Sequence, residues 1–309
     1  MTLGQLRTFA AVAESGAIQG AARRLHVTQP AVSAAVRALE GSLGVDLVEP
    51  EGRGIRLTAA GTTFATYARR VLGLLDEARV AVRGEDDPTR GLLRIAAVTT
   101  VSEHVLPSIL AAFRHAYPQV GVMLEVGNKE QVWTWLADHA VDVTLAGRPP
   151  ASHPALRVRA RRYNEHVVVA SPGTVPTDDD HRPLTALEGH TWLLREEGSG
   201  TRATLEATLA AAEMTPRFLT LGSNGAVVAG AAAGLGVTML SRDAVGRELD
   251  AGELAVVETD ATPLVRPWHV ATHLQAPPTT RLFVRHLLDV AATREAPRFE
   301  LADEPAVVG

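Results

Sequence analysis

Gln29, Ser33 and Arg37 stand four residues apart, so they share one face of any helix that carries them. Each suits a base edge in the major groove of DNA: the Gln29 amide fits adenine, the Arg37 guanidinium fits guanine or a phosphate, and the Ser33 hydroxyl fits either kind of partner. Arg53, in the short turn Glu51-Gly52-Arg53-Gly54, is suited to a minor groove or to the DNA backbone. A second kind of chemistry lies in Arg195-Glu196-Glu197-Gly198-Ser199-Gly200-Thr201-Arg202. Flexible backbone N–H groups, two hydroxyls and a helix start favour an anion there, with Arg202 adding charge. The plainer use is a capped turn in which Arg202 pairs with Glu206 on the same helix. The segment lacks the lysine and spacing of a nucleotide P-loop, which excludes an NTPase. Thr99-Thr100-Val101-Ser102 sits between a strand and a helix, where open sheets receive ligands. Helix capping is the plainer use of these hydroxyls. Gly127-Asn128, Ala146-Gly147-Arg148 and Ser223-Asn224 occupy equivalent strand ends.

Catalysis finds no support. The eleven histidines lack metal-ligand spacing, and His104 reads as a surface or capping residue. Ser199 has no nearby His–Asp partnership, and Asp178-Asp179-Asp180 lies in a solvated, Pro-bearing loop. The absence of cysteine excludes disulfides, Cys-ligated zinc, iron–sulfur clusters and thiol chemistry.

The elements that must position these residues are legible in the pattern. With 309 residues, 46% hydrophobic and 21% charged, the chain has the length of about two domains and an ordinary globular composition. The net charge of −5 divides unevenly, with a mildly basic stretch over residues 1–72 and an acidic remainder. Leu3, Leu6, Phe9, Ala10 and Ala13 predict a first helix, ended by Gly16. Ala17–Leu25 predicts a second. Thr28 caps a third, with Pro30 in its first turn and Val32, Val36, Leu39 and Leu43 as its apolar stripe. Val45–Leu57 reads as two short strands forming a wing, and Thr58 caps a long helix from Ala59 to about Glu85. Phe64, Val71, Leu74, Leu75 and Ala78 form a stripe too long for the small head to cover, which predicts a dimer interface. Beyond Gly91, strands alternate with helices, predicting a parallel sheet with helices on both faces. No apolar run reaches the length of a membrane span, the nearest being Ala226–Leu240, and no secretory signal is visible. A cytoplasmic protein is expected.

Ala21-Ala22-Arg23-Arg24-Leu25-His26-Val27-Thr28-Gln29-Pro30-Ala31-Val32-Ser33 resembles the signature of LysR-type transcriptional regulators. Leu39-Glu40, Leu43-Gly44-Val45 and Leu57-Thr58-Ala59-Ala60-Gly61 continue the resemblance, which extends to about residue 292. It implies an α/β chain with a winged helix-turn-helix over residues 1–58 and a linker and dimerisation helix over 59–90. A two-lobed effector domain resembling periplasmic binding proteins would span 91–294, and a flexible tail 295–309. Lobe I would cover about 92–162 and 268–294, and lobe II about 163–267. DNA contacts are expected at Thr28, Gln29, Pro30, Ser33, Arg37, Arg53 and Thr58. Effector contacts are expected at Thr99, Thr100, Ser102, Asn128, Gly147, Ser199, Thr201, Arg202 and Asn224. No cofactor or metal is implied. The effector would be a small molecule, an anion, since two helix starts and a guanidinium converge without a carboxylate. The partners would be double-stranded DNA with a dyad-symmetric promoter site, further copies of the chain as homodimer or tetramer, and RNA polymerase if it activates; a membrane is not among them. Three departures from the family pattern, Ala17-Ile18-Gln19-Gly20, Ala34-Ala35 and Val48-Glu49-Pro50, predict fewer phosphate contacts. A solute-binding protein and an enzyme acting on a phosphorylated substrate through Gly198–Arg202 are the rival readings. The DNA-binding head argues against the first, and the lack of a base or nucleophile against the second.

Overall fold

A computed structural model describes residues 1–52, 54–82, 87–150, 156–175, 181–290 and 298–302. The chain divides into two compact units, Met1–Asp86 with Ala137–Val141, and Asp87–Leu136 with Asp142–Gly309.

The first unit contains helices α1 (Leu3–Ser15), α2 (Ile18–Leu25) and α3 (Gln29–Leu43), an antiparallel pair β1 (Val48–Glu51) and β2 (Gly54–Leu57), and the long helix α4 (Ala59–Val82). Thr2 starts α1 with a capping box shared with Gln5, and Gly16 ends it in the left-handed conformation. Thr28 caps α3 by accepting the Ala31 N–H, and Gly44 ends that helix the same way. Val12, Ala21, Ala22, Val32 and Val36 pack between the three helices. Phe9, Leu39, Leu47 and Ala65 join them to α4. Glu40 locks the base of the wing to α3, its Oε1 accepting the N–H groups of Leu47 and Val48 at 2.8 and 3.2 Å.

The second unit has two lobes. In chain order its elements are β3 (Gly91–Val98), α5 (Leu106–Ala116), β4 (Val120–Gly127), α6 (Lys129–Ala137), β5 (Val143–Ala146), β6 (Leu156–Arg162), β7 (Glu165–Ala170), β8 (Thr191–Leu194), α7 (Gly200–Ala211), β9 (Arg217–Thr220), α8 (Asn224–Ala232), β10 (Thr238–Ser241), α9 (Arg242–Asp250), β11 (Ala255–Val257), β12 (Leu264–Val265), β13 (Trp268–His273), α10 (Pro278–Val290) and β14 (Phe299–Leu301). The first lobe holds the sheet β14-β6-β13-β5-β3-β4. The second holds β10-β7-β11, with β12 also on β7, and the pair β8-β9. Each lobe has its own core, around Phe113, Leu145 and Phe283 in one, and around Trp192, Val168 and Met239 in the other. Among the described residues no helix is long and apolar enough to cross a membrane.

The expected parallel sheet is corrected to a mixed one. β3 is parallel to β4 and β5, and β8 to β9, but the strands that arrive from the opposite lobe run against their neighbours. β13 is antiparallel to β5 and β6, and β7 to β10, β11 and β12. The expected flexible tail is corrected in part as well. Phe299–Leu301 adds a strand to the edge of β6 and buries Phe299, because an apolar side chain there completes the first lobe's core. Residues 303–309 and 295–297 of that tail lie outside the described residues.

The chain crosses between lobes at Arg162–Glu165 and at Val265–Trp268, and the crossings are laced together. Asn164 donates to the Arg266 carbonyl at 2.8 Å, and the Arg266 N–H donates to the Asn164 carbonyl at 2.8 Å. Arg162 pairs in two-pronged fashion with Asp243, at 2.6 and 3.1 Å, and Trp268 donates to the same carboxylate. Such bidentate pairs fix geometry as well as adding energy.

Candidate DNA interface and ligand cleft

On α3, Gln29, Pro30 and Arg37 are exposed and Ser33 is partly so, while Val32, Val36 and Leu39 are buried beneath them. The polar face at four-residue spacing therefore points outward from a helix anchored along its other side. Thr28 is exposed but its hydroxyl already caps the helix. Thr58 is partly exposed, and its hydroxyl donates to the Asp46 carbonyl at 2.8 Å and accepts the Gly61 N–H at 2.9 Å, which fastens the wing to α4. Arg53 lies outside the described residues. On the wing, Arg56 is neutralised by Glu49 at 2.6 Å and Glu51 at 3.5 Å, which is the local consequence of the acidic departure noted in the sequence. Arg24 pairs with Glu14, leaving Arg7, Arg23 and Arg37 as exposed guanidiniums without an ion-pair partner among the described residues.

The stripe on α4 also needs one correction. Phe64 packs on Phe9 with ring centroids 5.5 Å apart and belongs to the head's core, because the first turns of α4 still lie over α1. Beyond it, Val71 is 41% and Leu74 51% exposed, Ala78 is exposed, and Leu75 is half-buried. Tyr67, 58% exposed, continues this face one turn earlier and was missed because its hydroxyl disguises an apolar ring.

A cleft of about 590 Å³ opens between the lobes of the second unit. Thr99, Thr100, Asn128, Gly147, Ser199 and Thr201 line it, from the ends of β3, β4 and β5 and the start of α7. Gly198, with φ of +83°, turns the chain into α7 and faces the Asn128 amide, where a Cβ would lie 3.1 Å from Nδ2. Asn128 itself caps α6, its Oδ1 accepting the Gln131 N–H at 2.9 Å. Ser102 does not line the cleft; its buried hydroxyl donates to the Thr99 carbonyl at 2.8 Å within a π-helical turn over Val101–Val105. Arg202 does not line it either. Its Nε pairs with Glu206 at 2.7 Å along the helix, the plainer of the two uses the sequence allowed.

Asn224 acts from behind the lining. Its amide donates to Thr100 Oγ1 at 2.9 Å and its carbonyl accepts from Arg195, so a buried chain of polar groups joins the lobes. Arg195 also grips Glu196 through two bonds of 2.7 Å, which hold that carboxyl below the usual range against the opposing effect of burial.

Sequence reasoning reached Arg148 and Arg195 as members of candidate segments and missed Lys129, Arg161 and Arg266. Lys129, Arg148, Arg161 and Arg266 line the cleft beside Arg195, against the one carboxylate of Glu196. The side chains of Lys129, Arg148 and Arg161 have no hydrogen-bonded or ion-paired partner among the described residues. Arg161 precedes the first crossing and Arg266 lies on the second; the lobe boundaries that the resemblance implies located both crossings, but neither residue was treated as lining. His166 and His269 also line the cleft, and both stay neutral. Burial, then Arg266, lowers His166 to about 4 against the pull of Asp243; burial, then Arg161, lowers His269 to about 4. No group of three metal-ligating side chains occurs among the described residues.

Comparison with known proteins accounts for both units. Residues 3–62 match the bacterial regulatory helix-turn-helix protein of the lysR family, and residues 86–292 match the LysR substrate binding domain. The HTH-type transcriptional regulator CfxR of Cupriavidus necator is 36% identical over 272 residues, covering 88% of this chain and 85% of CfxR. The regulatory domain of Synechocystis CcmR, solved in complex with 2-PG, superposes with a TM-score of 0.61 at 30% identity, covering 66% of this chain and 98% of that one. Full-length CbnR, solved with its target DNA, gives 0.61 at 28% identity, covering 93% and 98%. The head, the two-lobed domain and their order along the chain all agree: the protein belongs to the LysR-type family of transcriptional regulators.

Proposed function

We propose that the cleft receives a small metabolite bearing both a phosphoryl and a carboxylate group, and that its binding alters how paired heads hold a dyad-symmetric promoter site. One observation carries this reading: five cationic side chains line the cleft against one carboxylate that is already paired. Charge-assisted hydrogen bonds to such groups are the strong ones. The 2-PG (2-phosphoglycolate) bound by CcmR has this chemistry. A ligand shifts a two-state protein only by binding one state better, and a cleft lined from both lobes supports this because its contacts depend on how the lobes are set. Isothermal titration tests it. Saturable binding of 2-phosphoglycolate, with none of a neutral diol, is expected. Binding of cations alone, or of no phosphorylated carboxylate, would overturn it.

The DNA contacts are proposed at Gln29, Pro30, Ser33 and Arg37. Gln29→Ala or Arg37→Ala should cost roughly 1–3 kcal/mol on the specific site and less on unrelated DNA. Equal weakening on both DNAs would reassign these residues to phosphate contact.

Assembly into dimers or larger species is proposed to use the α4 face of Tyr67, Val71, Leu74 and Ala78, with Leu75 beside it. An exposed apolar stripe at this spacing is the seam two helices share. Leu74→Asp is expected to give smaller species by light scattering. An unchanged size distribution would move the interface elsewhere.

A further inference from the structure

We infer that His166 and His269 contact the cleft anion directly, each donating a hydrogen bond from a ring nitrogen, and that the ligand enters together with a proton. The inference rests on the reading of the cleft as an anion site. His166 and His269 are the second residues of β7 and β13, the two strands that leave the crossings, so one stands on each connection between the lobes. Both line the cleft, and they are only 5% and 8% exposed. The Nδ1 of His166 is buried without a hydrogen-bond partner among the described residues, while the His269 ring leans on the Pro267 backbone. A buried polar atom left unpaired is costly, and native structures seldom leave one without a reason. Two imidazoles that line one cavity, one of them with an unpaired nitrogen, are what a ligand with several acceptor oxygens would satisfy.

The surrounding charges give the proton its part. His166 meets Arg266 from the second crossing and Asp243 from α9, whose carboxylate is shared with Arg162 and Trp268. His269 meets Arg161 from β6, Arg148 beyond β5 and Lys129 at the start of α6. Four of these five neighbours are cations, and with burial they keep both rings neutral while the cleft is empty. A dianion placed among them reverses the sign of the field, so protonation becomes favourable in the complex. Each ring then titrates higher in the complex than in the free protein. Affinity therefore rises as pH falls through the value in the complex, and levels off near the free value of about 4. The ligand's own titration runs the opposite way, because a phosphate monoester loses charge below a second pKa of about 6. Tightening on acidification is thus a signature of the protein.

The test is isothermal titration of the full chain with 2-phosphoglycolate, in buffers of different ionisation enthalpy. At pH 7 we expect uptake of about half a proton and binding roughly twofold tighter than at pH 8. His166→Gln and His269→Gln keep a donor in place but do not titrate, and each should reduce both the uptake and the pH slope. If the variants fail to fold, the proton count and slope of the wild type decide alone. Binding without uptake, or uptake unchanged in both variants, overturns this inference and leaves the anion reading standing. No binding to the wild type overturns the anion reading, and this inference with it.

Discussion

Arg195→Ala is expected to weaken ligand binding about 100-fold, close to 3 kcal/mol, and to remove the response of DNA binding to the ligand. Arg195 is 7% exposed and holds two partners, Glu196 and Asn224. Asn224 in turn donates to Thr100 on the other lobe. Without the guanidinium, Glu196 becomes an unpaired carboxylate facing an incoming anion, and the Asn224 carbonyl loses its buried donor. The loss is thus larger than one hydrogen bond, because repulsion replaces attraction. Glu196 is partly exposed, so water moderates this repulsion and keeps the effect below that of a fully buried pair. Thr100→Val should give a smaller loss, leaving only the Asn224 amide without its partner. Arg202→Ala is the control. Its pair with Glu206 is a half-exposed contact along one helix, worth a few tenths of a kcal/mol, so the Kd should change less than about twofold. Isothermal titration separates these cases. Equal losses at positions 195 and 202 would return the charge to Arg202 and sink the assignment.

The contrast between these two arginines shows what a sequence reveals and what it hides. Local signals were legible: Thr28 and Gly44 bound α3, and the apolar period placed Gln29, Ser33 and Arg37 on its free face. The hydroxyls at Thr99, Thr100, Ser199 and Thr201 were legible too, because strand ends and helix starts are local features. Arg157, Arg159, Arg161 and Arg162 hid β6, since four charges in seven residues do not look like an interior strand. Arg159 is tolerated there because it donates to the Thr272 hydroxyl and to the His273 and Leu274 carbonyls at the end of β13. That partner strand is more than a hundred residues away in the chain. The same distance hides the cleft's charge. Arg161, His166, Arg266 and His269 meet only because the chain crosses between lobes twice, and no spacing within one segment announces it. Phe299 was hidden for the opposite reason: its polar, Pro-bearing surroundings outweighed a single apolar residue.

The glycine of Leu57-Thr58-Ala59-Ala60-Gly61 now has a physical explanation, and Gly61→Ala is expected to destabilise the head by more than about 3 kcal/mol and to abolish DNA binding. Gly61 stands in the first turn of α4, where a Cβ would lie 1.9 Å from the Leu47 carbonyl oxygen and 2.8 Å from its carbon. Neither side has room to retreat. Leu47 is buried, its N–H is held by Glu40 at 2.8 Å, and its carbonyl accepts the Thr58 N–H at 3.1 Å. On the other side, Thr58 ties the start of α4 to Asp46 and to Gly61 itself. Making space for one methyl group would pull the wing's base away from α3 and open the core around Phe9, Leu39 and Leu47. Gly41→Ala adds the same methyl to α3, where a Cβ meets nothing within 4 Å. That change should stabilise the head by roughly 0.5–1 kcal/mol, since alanine loses less entropy in a helix than glycine does. Urea unfolding followed by circular dichroism should therefore move in opposite directions for the two variants. If Gly61→Ala unfolds within 1 kcal/mol of the wild type, α4 can back away from Leu47 at little cost, and the close approach is not what requires glycine there.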